Sequence, residues 1–223
     1  AHAPQAVLFT ETFEGDQYAL LMVMPPDAKA VQDQKLNREV IFVLDTSGSM
    51  AGASFRQARA ALSTALKRLG PQDTFNVVAF ASKAQRLYMD PKRATLANIA
   101  KALASIAALD ATGGTEMLSA LKLALRDYEQ RTRVRQVVFI TDGAVGNETT
   151  LFDYIGSHIG KSRLFIVGIG SSPNGYFMRK AARTGRGTYT YIGKPKEVRE
   201  KMSALFARLE SPVLTDIKLH WRQ

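Results

Sequence analysis

The sequence predicts an α/β domain with a doubly wound, mostly parallel sheet and helices on both faces, plus a small flanking β element from the two ends of the chain. Three observations lead there. The runs 40–44, 137–140 and 164–167 are continuous, apolar and rich in β-branched and aromatic residues. They are too short for helices of their own and read as strands buried on both faces. Stretches with a helical apolar period alternate with them, the arrangement that covers a parallel sheet on both sides. Two of the runs end abruptly in an acid, Asp45 and Asp142. An open α/β sheet places its chemistry there, just beyond the carboxyl ends of its strands.

Residues 7–13 and 17–24 read as two strands joined at Glu14-Gly15-Asp16, and Pro25-Pro26 stops the second. Residues 27–38 are polar and read as a linker. Strand 39–45 leads to a helix over 54–69, whose stripe is Ala58, Leu62, Ala65, Leu66 and Leu69 and whose stop signal is Gly70-Pro71. Residues 74–80 are a strand and 85–88 a short edge strand. Asp90-Pro91 is read as the cap of a helix reaching residue 107, with Leu96, Ile99, Leu103 and Ile106 inward. A loop over 108–114 leads to Thr115 and a helix to residue 129, lined by Leu118, Leu121, Leu125 and Tyr128. Glu116 suits the positive end of that helix dipole. Strand 136–141, helix 149–159, strand 163–169, helix 176–183, strand 188–192 and helix 195–209 complete the domain. Residues 211–223 alternate like a strand and are placed beside the N-terminal pair.

The stretch Asp45-Thr46-Ser47-Gly48-Ser49 carries the chemistry. Alternate residues of an extended turn point the same way, so one carboxylate and two hydroxyls converge. Oxygen alone is offered, the donor set of a hard divalent cation such as Mg²⁺. Asp, Ser and Gly after a strand also serve as ordinary turn and capping residues. Two later stretches separate the readings: Gly113-Gly114-Thr115 opens a helix, and Thr141-Asp142-Gly143 ends a second buried strand.

With D-x-S-x-S, a GGT-like loop and a TDG-like strand end in this order, residues 37–209 resemble the von Willebrand factor type A family. The resemblance implies a metal-ion-dependent adhesion site at Asp45, Ser47, Ser49, Thr115 and Asp142. It implies that Ser47, Ser49 and Thr115 bind the cation directly while Asp45 and Asp142 act through bound waters. Mg²⁺ is the expected ion, with Mn²⁺ or Ca²⁺ as alternatives. Few direct carboxylates leave the cation able to accept an acidic group from a partner. The expected partner is a protein, matrix or envelope ligand offering a carboxylate, met outside the cell, at its surface or in a periplasm. The pattern Gly15-Asp16-Gln17-Tyr18-Ala19-Leu20-Leu21-Met22 followed by Pro25-Pro26 is similar to the junction of VIT and A domains in relatives of inter-α-trypsin inhibitor heavy chains. It makes residues 1–36 the expected end of a VIT-like region, 37–210 the A-type domain and 211–223 an extension.

Enzyme readings fare worse. No G-x-G-x-x-G or Walker loop follows the first buried strand, and Ser47 and Ser49 lack the flanks of a hydrolase nucleophile. The three histidines, His2, His158 and His220, stand far from these motifs in the chain. A non-enzymatic binding module is expected. The alternatives are an assembly module whose metal only rigidifies loops, or a regulatory subunit of an ATP-driven metal-insertion machine. There is no cysteine, and no apolar run reaches the roughly 20 residues of a membrane span. The net charge of +10 sits mostly between Lys161 and Arg208, where eleven Lys and Arg face two Glu. Such a third suggests an anionic neighbour, an acidic polysaccharide among them. No aromatic interleaving or recognition motif points to nucleic acid.

Overall fold

The computed structural model describes residues 5–24, 37–126, 133–143, 145–171 and 173–210. The chain divides into two compact units, one made of 37–209 and the other of 1–36 with 210–223. In the smaller unit, β1 (Gln5–Phe13) and β2 (Asp16–Met24) pair antiparallel, from Gln5 against Met24 to Phe13 against Asp16. Asp16 belongs to the second strand, so the turn is only Glu14-Gly15. Both residues have positive φ, 53° and 89°, as a two-residue hairpin turn matching strand twist requires. The expected strand over 211–223 and the linker over 27–36 lie outside the described residues.

The larger unit is built on seven strands: β3 (Arg38–Asp45), β4 (Thr74–Phe80), β5 (Ala84–Arg86), β6 (Lys92–Arg93), β7 (Val134–Thr141), β8 (Arg163–Ile169) and β9 (Tyr189–Ile192). Their order is β5-β4-β3-β7-β8-β9, with β6 also pairing β4. Strands β4, β3, β7, β8 and β9 run parallel, and β5 and β6 antiparallel. Every residue of β3 is buried, as its unbroken apolar run requires. Val40, Phe42 and Leu44 pack under α1 (Ala53–Leu66), α2 (Leu96–Ala107) and α6 (Val198–Glu210). Ile41 and Val43 pack against α3 (Met117–Ala124), α4 (Glu148–His158) and α5 (Gly175–Thr184). The expected doubly wound α/β architecture is therefore present. The chain leaves β3 for β4 on one side and returns to β7 on the other. The carboxyl ends of β3 and β7 thus form a switch point, where such sheets leave a crevice.

Three local expectations need correction. The helix expected from Asp90-Pro91 begins only at Leu96, because Lys92 and Arg93 pair with β4 instead. Its cap is Thr95, whose hydroxyl accepts from the Asn98 amide at 3.2 Å. Leu96, expected inward, is 89% exposed, since the first helical residue falls off the stripe that Ala102 and Ile106 bury. The helix after Thr115 ends at Ala124 instead of residue 129; Tyr128 and its surroundings lie outside the described residues. Thermal melts check the first correction. Thr95→Ala is expected to lower stability by about 1 kcal/mol, while Asp90→Ala stays within about 0.5 kcal/mol of the parent.

Candidate metal centre

The site is assembled from three loops at the switch point. After Asp45 the backbone turns through a short 3₁₀ segment, Gly48–Met50. Asp45 is fully buried and fixed from two sides. Its Oδ1 accepts from the Ser47 amide at 2.9 Å, and its Oδ2 accepts from the Thr141 hydroxyl at 2.5 Å. Thr141 is the last residue of β7, and its Oγ1 also accepts from the Gly143 amide at 2.9 Å. One hydroxyl thereby ties the β3 carboxylate to the turn that carries Asp142. The sequence reading missed Thr141, which looks there like one more β-branched strand residue. The available signal was its place immediately before the strand-ending acid.

The second loop is stitched to the first by its backbone. The Thr112 amide donates to the Thr46 carbonyl at 2.8 Å, and the Gly48 amide to the Gly113 carbonyl at 3.0 Å. The Glu116 amide donates to the Ala81 carbonyl at 2.8 Å, so Thr115 is held between two anchored residues beside the β3 turn. Gly113 has φ +85°, and a methyl there would come within 2.9 Å of the Ser82 hydroxyl, so glycine is required. Ser47 Oγ and Ser49 Oγ stand 3.0 Å apart.

That separation supplies a test of fit. Two neighbouring oxygens on an octahedron around Mg²⁺, at 2.0–2.1 Å from the ion, stand about 3 Å apart. The serine hydroxyls, which at this distance also hydrogen-bond each other, are close enough to share one small divalent cation. Among the described residues no three His, Cys, Asp or Glu side chains converge. A cation here would therefore be held by hydroxyls with two carboxylates, as the sequence motif offers. Burial pushes the Asp45 carboxyl above its ordinary range, with the nearby Asp142 adding to the shift. Hydrogen bonds from Ser47 and Thr141 pull it back in part. A positive charge brought to the site relieves both causes of the rise.

Ser49 and Asp142 also line a cleft of about 500 Å³, which continues past Ser54, Ser171, Pro173 and Asn174. Its walls are mostly small and uncharged. Asn174 stands beside Asp142: its amide donates to the Asp142 carbonyl at 3.2 Å, its side-chain amide donates to the Glu148 carboxylate at 2.7 Å, and its side-chain oxygen caps α5 at the Phe177 amide. The structure thus brings Asp45, Ser47, Ser49 and Asp142 to one crevice and sets the Thr115 loop against them. His158 lies exposed on α4, stacked on Tyr154.

Comparison with known proteins agrees with this architecture. The profile of the von Willebrand factor type A domain matches residues 38–191. A von Willebrand factor A domain-containing protein of Dictyostelium discoideum is 33% identical over 190 residues, covering 85% of this chain and 20% of the relative. Human von Willebrand factor A domain-containing protein 5B1 is 30% identical over 199 residues, covering 88% of this chain and 16% of that protein. The chain thus spans about a fifth of the length of such relatives. A solved von Willebrand factor type A structure from Catenulispora acidiphila superimposes with a TM-score of 0.70 at 27% identity, over 86% of this chain and 44% of that one.

Proposed function

The chain belongs to the von Willebrand factor type A domain family, a family of adhesion and protein-interaction modules, and from that premise we propose a divalent-cation-dependent binding module. Its cation, Mg²⁺ or Mn²⁺, would be held by the hydroxyls of Ser47, Ser49 and Thr115, with Asp45 and Asp142 acting through water. When bound, the cation supplies a site for one carboxylate oxygen of a partner. The observation that carries this reading is the pair of serine hydroxyls 3.0 Å apart above a buried carboxylate, opening on a cleft. An open cleft favours binding over a purely rigidifying ion, which needs no access for a partner.

The chain's own residues divide the work. Thr141 orients the Asp45 carboxylate, and the Asp45 carboxylate orients the Ser47 amide and so the serine turn. The amides of Thr112, Gly48 and Glu116 hold the Thr115 loop in register. The likeness of residues 15–26 to the VIT–A-domain group supports placing the module in a secreted or cell-surface protein. No helix among the described residues is long and apolar enough to cross a membrane.

Titration calorimetry of the chelator-stripped protein tests the proposal. Mn²⁺ and Mg²⁺ are expected to bind saturably, one ion per chain, at or below millimolar concentration. Thr141→Val keeps the side-chain shape but removes the hydroxyl that orients Asp45, so it should weaken binding by about 10–100-fold. Absence of saturable binding in the parent protein would remove the basis of the assignment.

A further inference from the structure

The basic residues of the C-terminal third do not form one patch. Arg163 and Arg186 donate to backbone carbonyls, of Arg186 and of Gly160 and Ser162 respectively. Lys201 pairs with Glu197 at 3.1 Å. The outer face of α5 is different. Tyr176, Arg179, Lys180 and Arg183 are all exposed and recur at the three- and four-residue spacing of one helical stripe. Phe177, Met178, Ala181 and Ala182 fill the opposite, buried face. Among the described residues none of the three cations of the stripe has a carboxylate partner. Lys180 instead lies over the Phe152 ring, 4.3 Å from its centroid, and 5.8 Å from that of Tyr176.

This stripe begins where the metal cleft ends. Asn174, which lines the cleft, is the N-cap of α5. Helical side chains lean toward the N-terminus of their helix, and Arg179 does so here. A methyl on Gly175 would come within 3.1 Å of the Arg179 Nη1, so the guanidinium reaches back to the cleft's rim. From Gly175 to Arg183 the helix rises about 12 Å. An extended peptide covers that distance in about four residues, with alternate side chains on one side. The charges along this face are thus ordered: a carboxylate-binding position among the serines, small polar walls, the Glu148 carboxylate held by the Asn174 side chain at 2.7 Å, then three cations without a carboxylate partner among the described residues.

We propose that α5 is the second half of the partner-binding surface, and that the partner is an acidic peptide segment. Resting on the cation reading above, one of its carboxylates meets the ion and those two and four residues further on meet Arg179, which reaches back to the rim, and Lys180, with Arg183 left for an acid beyond them. The stripe therefore selects among carboxylate ligands, which the ion alone does not.

The test uses the full chain in millimolar Mn²⁺ and two labelled heptapeptides. One alternates three glutamates with glycines; the other keeps a single glutamate. The three-glutamate peptide is expected to bind about tenfold more tightly, as two or three screened ion pairs provide. The triple variant R179Q/K180Q/R183Q should erase that preference while leaving the single-glutamate affinity and Mn²⁺ binding unchanged. The variant K194Q/K196Q, removing like charge elsewhere, should retain it. Equal, metal-dependent affinity for both peptides overturns the α5 proposal and leaves the cation reading standing. Chelator-resistant binding of the three-glutamate peptide that is lost in the triple variant supports the stripe and overturns the cation reading. Binding of neither peptide overturns both. A heparin hexasaccharide that binds α5 more tightly than the peptide, with or without metal, overturns the peptide as partner in favour of a polysaccharide.

Discussion

Mg²⁺ or Mn²⁺ added to the chelator-stripped protein is expected to raise its melting temperature, and Asp45→Asn to abolish that rise while making the stripped protein more stable than its parent. Asp45 is fully buried, close enough to Asp142 for the two charges to repel. Bringing two carboxylates together out of water costs Coulomb energy, and a divalent cation offsets it. An ion that binds only the folded state stabilises it by about 2.7 kcal/mol at a hundredfold excess over Kd, which for a chain of this length is a shift of about 5–10 °C. Asparagine keeps an acceptor for the Ser47 amide, held at 2.9 Å in the parent, and removes the charge. Alanine would leave the Ser47 amide and the Thr141 hydroxyl without their acceptor, so asparagine is the cleaner variant.

The same substitution fixes a pH dependence. Burial holds the Asp45 carboxyl above its unfolded value. A group raised in this way contributes stability that is fully present below the unfolded pKa and lost as pH rises through the folded one. In chelator, the stability advantage of Asp45→Asn over the parent should therefore be smallest at acid pH, below the ordinary carboxylate range, and grow as pH rises through it. Differential melts across pH 3–8 read it. A parent protein insensitive to metal, or an Asn variant that still responds, would sink the assignment.

The sequence displays the parts of this molecule that depend on local chemistry. Strands β3, β7 and β8 announce themselves because burial on both faces forces an unbroken apolar run, as at Val40–Leu44. The candidate donors are legible because an acid and small hydroxyls directly after such a run contrast with their surroundings. What stays hidden depends on partners far apart in the chain. Thr141 orients Asp45 across 96 residues of separation. Lys92 and Arg93 look like helix-cap flank until β4 is there to pair with them. Gln136 reads only as the first residue of a strand, yet its side-chain amide donates to the Leu209 carbonyl at 2.8 Å, holding the end of α6 to β7. The basic stripe on α5, without a carboxylate partner among the described residues, shows in the sequence only as excess charge, because sequence gives no account of which cations already have partners.

The largest loss of stability from one substitution is expected at the opposite end of β3 from the candidate donors, with Asp73→Ala. The sheet register sets Glu39 against Thr74, which brings Arg38 beside Asp73. The guanidinium Nε donates to Asp73 Oδ1 at 3.1 Å and Nη2 to Oδ2 at 2.5 Å, with both side chains buried. Asp73 Oδ2 also accepts from the Gly70 amide at 2.9 Å, so one carboxylate ties the turn after α1 to the first residue of β3. Among the described residues Arg38 Nη1 has no partner, so the guanidinium depends on this carboxylate. Removing Asp73 leaves a buried cation and a turn amide unpaired, at a cost of about 3–5 kcal/mol. Replacing both partners by apolar residues, as in Arg38→Met with Asp73→Leu, removes the stranded charge and should recover much of that loss. Arg38 and Asp45 stand about 23 Å apart along the strand. Chemical denaturation should therefore show the large loss and partial recovery, while Mn²⁺ affinity of the folded fraction stays at the parent value. A double variant no more stable than Asp73→Ala would mean that the Gly70 turn contact, and not the stranded guanidinium, dominates the cost.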